Sequence, residues 1–136
     1  YEGMVDDGLK IVRAVRKRYD GLRRNPYNEF ECGSHYARAM SSWGLVLSLS
    51  GFRYDAVDKT LYLNPRWTEG KKMKCFFSTN TAWGMFEYKP GHLKLTQIER
   101  ELTVNRVVTD SGMFEVPAAS QQASSAKPMD VALSGR

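Results

Sequence analysis

Cysteine is scarce in this chain. Cys32 and Cys75 are the only two in 136 residues, too few for a disulfide framework and without the paired spacing of a structural zinc site. The expectation is two free, buried thiols in a reducing compartment, with a single bridge as the alternative. Histidine is equally sparse. His35 and His92 are far apart in sequence, so neither a histidine metal centre nor a nucleophilic Cys32 has a credible second member. No apolar run approaches the roughly 20 residues of a membrane-spanning helix, and no signal-peptide pattern opens the chain. These absences favour a cytoplasmic setting, with a secretion signal upstream as the alternative, and they leave membrane association open. An initiator methionine is also missing: Tyr1 directly precedes a helical pattern, which favours a piece of a larger domain over a complete unit. No internal repeat is evident.

Charge is plentiful but mixed. Twenty basic and 15 acidic residues give a formal charge of +5. Lys10, Arg13, Arg16, Lys17, Arg18, Arg23 and Arg24 gather on or just after the first helical pattern, interleaved with Asp6, Asp7 and Asp20. This reads as a solvated helix face. A nucleic-acid stripe would carry less acid and more interleaved aromatics, so no nucleic-acid partner is expected.

Residues 4–19 form the first predicted helix, with Val5, Leu9, Val12, Val15 and Tyr19 recurring at three- and four-residue steps. Asp6 and Asp7 suit its first turn and Arg16, Lys17 and Arg18 its last; Gly21 and Asn25-Pro26 stop it. A second helix is predicted over 34–50, with Ser34 as N-cap and Gly51 as left-handed C-cap. Tyr36, Ala37, Ala39, Met40, Trp43, Leu45, Val46, Leu47 and Leu49 surround its axis, and a helix apolar all round is expected to be buried inside something larger. Together the two make a helical hairpin.

After Gly51 the pattern turns to β. Phe52 to Leu63 reads as a short β excursion around a turn at Asp58-Lys59, and Met73 to Ser78 as a strand. Trp83 to Tyr88 and Leu93 to Ile98 form a hairpin across Lys89-Pro90-Gly91-His92, where Pro then Gly is type II turn chemistry. Glu101 to Val108 is one further strand, with Leu102, Val104 and Arg106 sharing a face. From Pro117 onward Ala, Ser, Gln, Pro and Gly dominate, and 117–136 is predicted to be a disordered tail. The chain thus divides into a helical hairpin over 1–52, a β-rich extension with little core of its own over 53–116, and the tail.

Candidate chemistry concentrates at Glu29, Glu31, His35 and Arg38. A carboxylate accepting from two neighbouring hydroxyls beside a planar guanidinium that donates to one of them is a sugar clamp. The plainer reading is that Glu29 and Arg38 pair to satisfy a helix end. Arg38 stands in the first turn of its helix, the wrong end for a cation by the macrodipole argument. Glu29 and Glu31, two apart in sequence, are a poor acid–nucleophile couple for a glycosidase, which needs two carboxylates at a set separation with their pKa values pushed apart.

The stretch Asn28-Glu29-Phe30-Glu31-Cys32-Gly33-Ser34-His35-Tyr36-Ala37-Arg38-Ala39-Met40-Ser41-Ser42-Trp43-Gly44 resembles the C-terminal end of the catalytic domain of glycoside hydrolase family 116. That family holds non-lysosomal glucosylceramidases and bacterial β-glucosidases. The likeness runs from the first helix through Gly51-Phe52 and, more loosely, through Trp83-Gly84. It implies a mainly α fold: the last helical hairpin of an (α/α)6 barrel, followed by a small antiparallel β appendage. It also implies that Glu29 and Arg38, nine residues apart, bind glucose hydroxyls, with Glu31 and His35 behind them. The better-known glucosylceramidases carry Thr-Pro-Glu-Ala where this chain has Tyr27-Asn28-Glu29-Phe30, which suits a bacterial branch acting on a glucoside, a xyloside or an N-acetylglucosaminide. The family's nucleophile and acid/base lie in upstream barrel segments, so no catalytic residue is assigned in this chain. No cofactor or metal is implied; the implied partners are a β-glycoside and the rest of the barrel. The reading from another class is a non-catalytic carbohydrate-binding or structural module.

Overall fold

The computed structural model describes residues 2–27, 36–66 and 70–133. Among the described residues strand accounts for 40% and helix for 26%. The mainly α expectation is therefore overturned: most of the regular structure is β. Two compact units divide the chain, Tyr1–Leu49 and Ser50–Arg136.

The first unit holds α1 (Val5–Arg18) and most of α2 (Tyr36–Ser50). In α1, Val5, Leu9, Val12 and Val15 are the half-buried positions, continued by Tyr19 just beyond its end, while the lysines and arginines are exposed. The apolar stripe and the solvated basic face are both as expected. Asp6 and Asp7 lie in the first turn and Arg16, Lys17 and Arg18 in the last, each favourable to the helix dipole. The second helix, expected to be buried inside something larger, is exposed over most of its length within this chain. Tyr36, Met40, Trp43 and Leu47 are 49–64% exposed, and Ser50 is its one buried residue. An all-round apolar pattern reports what a helix could bury; what does get buried depends on the neighbours available. Gly51 terminates α2 with φ +60°, and a Cβ there would stand 2.1 Å from the Asn64 carbonyl oxygen, so only glycine fits both the backbone and the space.

The second unit is two sheets around one core. The first sheet has the order β1 (Arg53–Asp55), β2 (Thr60–Tyr62), β6 (Arg106–Thr109) and β7 (Gly112–Glu115). Its β2–β6 pair is parallel, because the chain leaves after β2, builds the other sheet, and returns. That other sheet runs β3 (Met73–Ser78), β4 (Ala82–Lys89), β5 (His92–Thr103) and β8 (Gln122–Ser124), with β9 (Met129–Ala132) also on β5. The β4–β5 hairpin turns at Pro90-Gly91, where Gly91 has φ +81°, as type II chemistry requires.

Leu61 and Val107 from the first sheet, Leu63 just after β2, and Phe77, Phe86, Leu93, Leu95, Ile98 and Leu102 from the second sheet are essentially sealed from solvent. Phe52 stacks between Phe77 and Phe86 at centroid distances of 5.3 and 5.7 Å. The β region thus has a substantial core, contrary to the expectation of an appendage with little core of its own.

Two corrections concern register and the tail. The expected strand over Glu101–Val108 is broken: β5 ends at Thr103 and β6 starts at Arg106. Between them the Val104 amide donates to the Gln121 carbonyl and the Asn105 amide to the Lys59 carbonyl, which carries the chain to the other sheet. Leu102, Val104 and Val107 are buried, whereas Arg106 lies on the half-exposed side, 4.0 Å from Glu115. The tail over 117–136 is not disordered through its described residues. After a 3-10 turn at Ala118–Ser120 it contributes β8 and β9 to the second sheet, and Ala123, Met129, Val131 and Leu133 are buried. Met129, Val131 and Leu133 alternate with Asp130 and Ala132, a two-residue period hidden inside an Ala/Ser-rich composition.

Candidate functional site

Of the four residues singled out as candidate chemistry, Arg38 is described; Glu29, Glu31 and His35 lie outside the described residues, as do Cys32 and the predicted N-cap Ser34. The geometry at Arg38 is specific. Its Nη2 donates to the Pro26 carbonyl oxygen at 2.6 Å, a charge-assisted bond across 12 residues of chain. Its guanidinium carbon lies 4.4 Å from the centroid of the Tyr19 ring, within cation–π distance. Arg24 approaches the same ring at 5.8 Å. Three consequences follow from the chemistry of these partners. Tyr19, the last member of the α1 stripe, becomes the platform on which the first turn of α2 is tethered. The described chain after α1 is pinned at Pro26, two residues before the 28–44 stretch begins. The cation at the unfavourable end of α2 is held by partners outside its own helix, which accounts for its position there.

The turn after α1 is built for rigidity. Asp20 accepts hydrogen bonds from the Leu22 and Arg23 amides at 3.0 and 2.9 Å and from the Arg23 guanidinium at 3.3 Å. These donors, the Arg23 amide first, hold the Asp20 carboxyl below its ordinary range. Asn25 Oδ1 caps the Tyr27 amide at 2.8 Å. The approach to the motif is therefore a chain of small polar turns ending on the arginine.

In the β unit the sequence reading proposed no site, yet polar side chains converge there. Tyr54, Lys59, Thr81, Arg100, Glu101 and Thr103 line an open groove of about 390 Å³. The Tyr54 hydroxyl donates to the Thr103 carbonyl at 2.6 Å, and burial raises its pKa above the ordinary tyrosine value, with nearby Asp55 adding to it. The Lys59 carbonyl accepts from the Asn105 and Arg106 amides. A smaller cavity of about 120 Å³ lies among Leu63, Asn64, Pro65, Lys71, Tyr88, Pro90 and Asp110, where Asn64 donates to Asp110. His92, which sequence placed in a turn, starts β5, and its Nε2 meets Asp130 at 2.6 Å. Cys75 is a free, half-buried thiol whose pKa is pushed up by burial, the opposite of an activated nucleophile. One neighbour of the groove was legible: Trp83, 5.6 Å from the Arg100 guanidinium, alternates in phase with Glu87, not with the buried Phe86. The others come from segments distant in sequence.

No family model matches the chain, and no curated protein shows significant similarity to it. No helix among the described residues is long and apolar enough to cross a membrane.

Proposed function

We propose that this chain supplies glycone-binding residues to a retaining β-glycosidase acting on β-glucosides, with the nucleophile and acid/base contributed from outside these 136 residues. In this reading Glu29 accepts hydrogen bonds from two ring hydroxyls and Arg38 donates to one. The observation that carries the proposal is the tethering of Arg38. A guanidinium already stacked on Tyr19 and bonded to Pro26 has given up most of its rotamer freedom, so little further entropy is lost when a ligand meets it. The resemblance of the 28–44 stretch supplies the ligand class, and the nine-residue spacing of Glu29 and Arg38 supplies the pairing of acceptor and donor. Hydroxyl contacts of this kind raise kcat where they tighten as the sugar ring distorts toward an oxocarbenium-like state.

The test is hydrolysis of 4-nitrophenyl β-D-glucopyranoside by the protein that carries this chain together with the catalytic carboxylates. Glu29→Gln and Arg38→Lys are each expected to lower kcat/KM by about tenfold or more, on the order of 1.4 kcal/mol of transition-state stabilisation. Lysine keeps the charge of Arg38 but not the planar fork. Unchanged kinetics in both variants would remove this pair from the sugar site.

A further inference from the structure

We infer that the groove beside Trp83 in the β unit binds a neutral hexopyranose unit of an oligosaccharide, at a site distinct from Arg38 and not resting on the reading of Arg38. Three observations carry this. The first is the groove's composition: Lys59 and Arg100 offer donors, Glu101 an acceptor, and Thr81 and Thr103 hydroxyls that do both. Donors and acceptors gathered in one groove match the mixed hydrogen-bonding of sugar hydroxyls, and the volume of about 390 Å³ lies within the roughly 300–1,000 Å³ of small-molecule sites. Among the described residues neither Lys59 nor Arg100 forms an ion pair, so their N–H groups are not committed to a carboxylate.

The second is an aromatic surface beside the groove's arginine. Trp83 is 42% exposed, and the Arg100 guanidinium, which lines the groove, stands 5.6 Å from its ring centroid. The weakly positive C–H face of a pyranose packs on the negative face of an indole, so an exposed tryptophan next to hydroxyl-matching groups favours a sugar over a simple anion. Charge argues the same way. Lys59 and Arg100 share the groove with Glu101, and Glu99 is the cross-strand partner of Trp83, so carboxylates stand among the cations and the surroundings are mixed in sign.

The third is the backbone that brings them together. Gln97 and Arg100 both adopt left-handed conformations, φ +51° and +65°, inside β5. The register against β4 slips between Trp83 and Met85, where Glu99 faces the one and Thr96 the other. Opposite the slip, Gly84 leaves no room for a side chain, since a Cβ would lie 2.9 Å from the Thr96 carbonyl oxygen. Bulges of this kind re-aim side chains; here the result is that Arg100 reaches both Trp83 and the groove.

Calorimetric and amide-NMR titration of the 136-residue chain with cellotriose, maltotriose and trigalacturonate tests this. Saturable binding of one or both neutral trisaccharides, with shifts at Thr81, Trp83, Arg100 and Thr103, is expected. Trp83→Ala and Arg100→Gln should each weaken that binding by about tenfold, with melting temperatures close to the parent's because both side chains are exposed. The inference is overturned if neither neutral sugar binds, if binding survives both substitutions, or if trigalacturonate binds more tightly than either.

Discussion

The last strand of the β unit offers the sharpest perturbation. Met129 is 1% exposed, and Val131 and Leu133 are 4% and 5% exposed; β9 pairs with β5 from Leu95↔Met129 to His92↔Ala132. Met129→Ala removes most of a buried side chain and leaves a cavity next to Leu93 and Leu95, which are themselves fully buried. Substitutions of this type cost about 2–5 kcal/mol. For a unit of this size each 1 kcal/mol moves Tm by about 4–8 °C, so a loss of about 3 kcal/mol lowers it by roughly 12–24 °C. Deleting everything after Val116 removes Ala123, Met129, Val131 and Leu133 together. At about 1.5–3 kcal/mol for each of the three larger side chains, the loss rivals the roughly 5–15 kcal/mol total stability of a small domain. The truncated chain is expected to lose its cooperative β-unit transition. Circular dichroism melts of the full chain, Met129→Ala and the truncation check this. A tail without packing role would give three superimposable melts, and a change in Tm below about 1 °C for Met129→Ala would refute the argument.

Gly84→Ala is expected to destabilise the β unit by about 1–3 kcal/mol, because its Cβ would press on the Thr96 and Gln97 carbonyl oxygens at 2.9 and 3.0 Å; urea unfolding with an unchanged m-value measures it. Tyr54 gives a pH signature. Burial raises its folded pKa above the unfolded value, so its contribution is complete below the unfolded pKa and is lost as pH rises through the folded one. Stability of the parent should fall more steeply above about pH 10 than that of Tyr54→Phe, which lacks the titrating hydroxyl; parallel alkaline melts would contradict this.

The local pieces were readable because neighbouring residues decide them. The α1 stripe from Val5 to Tyr19 is half-buried, with the charged residues facing out. Met73–Ser78 is a strand with the bounds its pattern suggests, and Pro90-Gly91 makes the hairpin turn. Even the tail carried its signal in Met129, Val131 and Leu133, although composition outweighed period there. At the candidate sugar clamp, the sequence named Arg38 and its spacing from Glu29, but not that Tyr19 and Pro26 hold the guanidinium.

Tertiary structure alone decided the balance of the fold and the second site. Whether an apolar helix such as α2 is buried depends on which surfaces meet it, and an all-round apolar wheel carries no information about that. The parallel β2–β6 pairing joins residues some 46 apart, Thr60 with Arg106, and no local pattern encodes such a register. The groove likewise draws Tyr54 and Lys59 from one segment, Thr81 from a second and Arg100 to Thr103 from a third. Sequence determined the strands, turns and caps because those are set by steric and hydrogen-bonding preferences a few residues wide. Which strands meet, and so which side chains share a groove, was set by packing Phe52, Phe77, Phe86 and Leu102 into one core, a choice made by the whole chain at once.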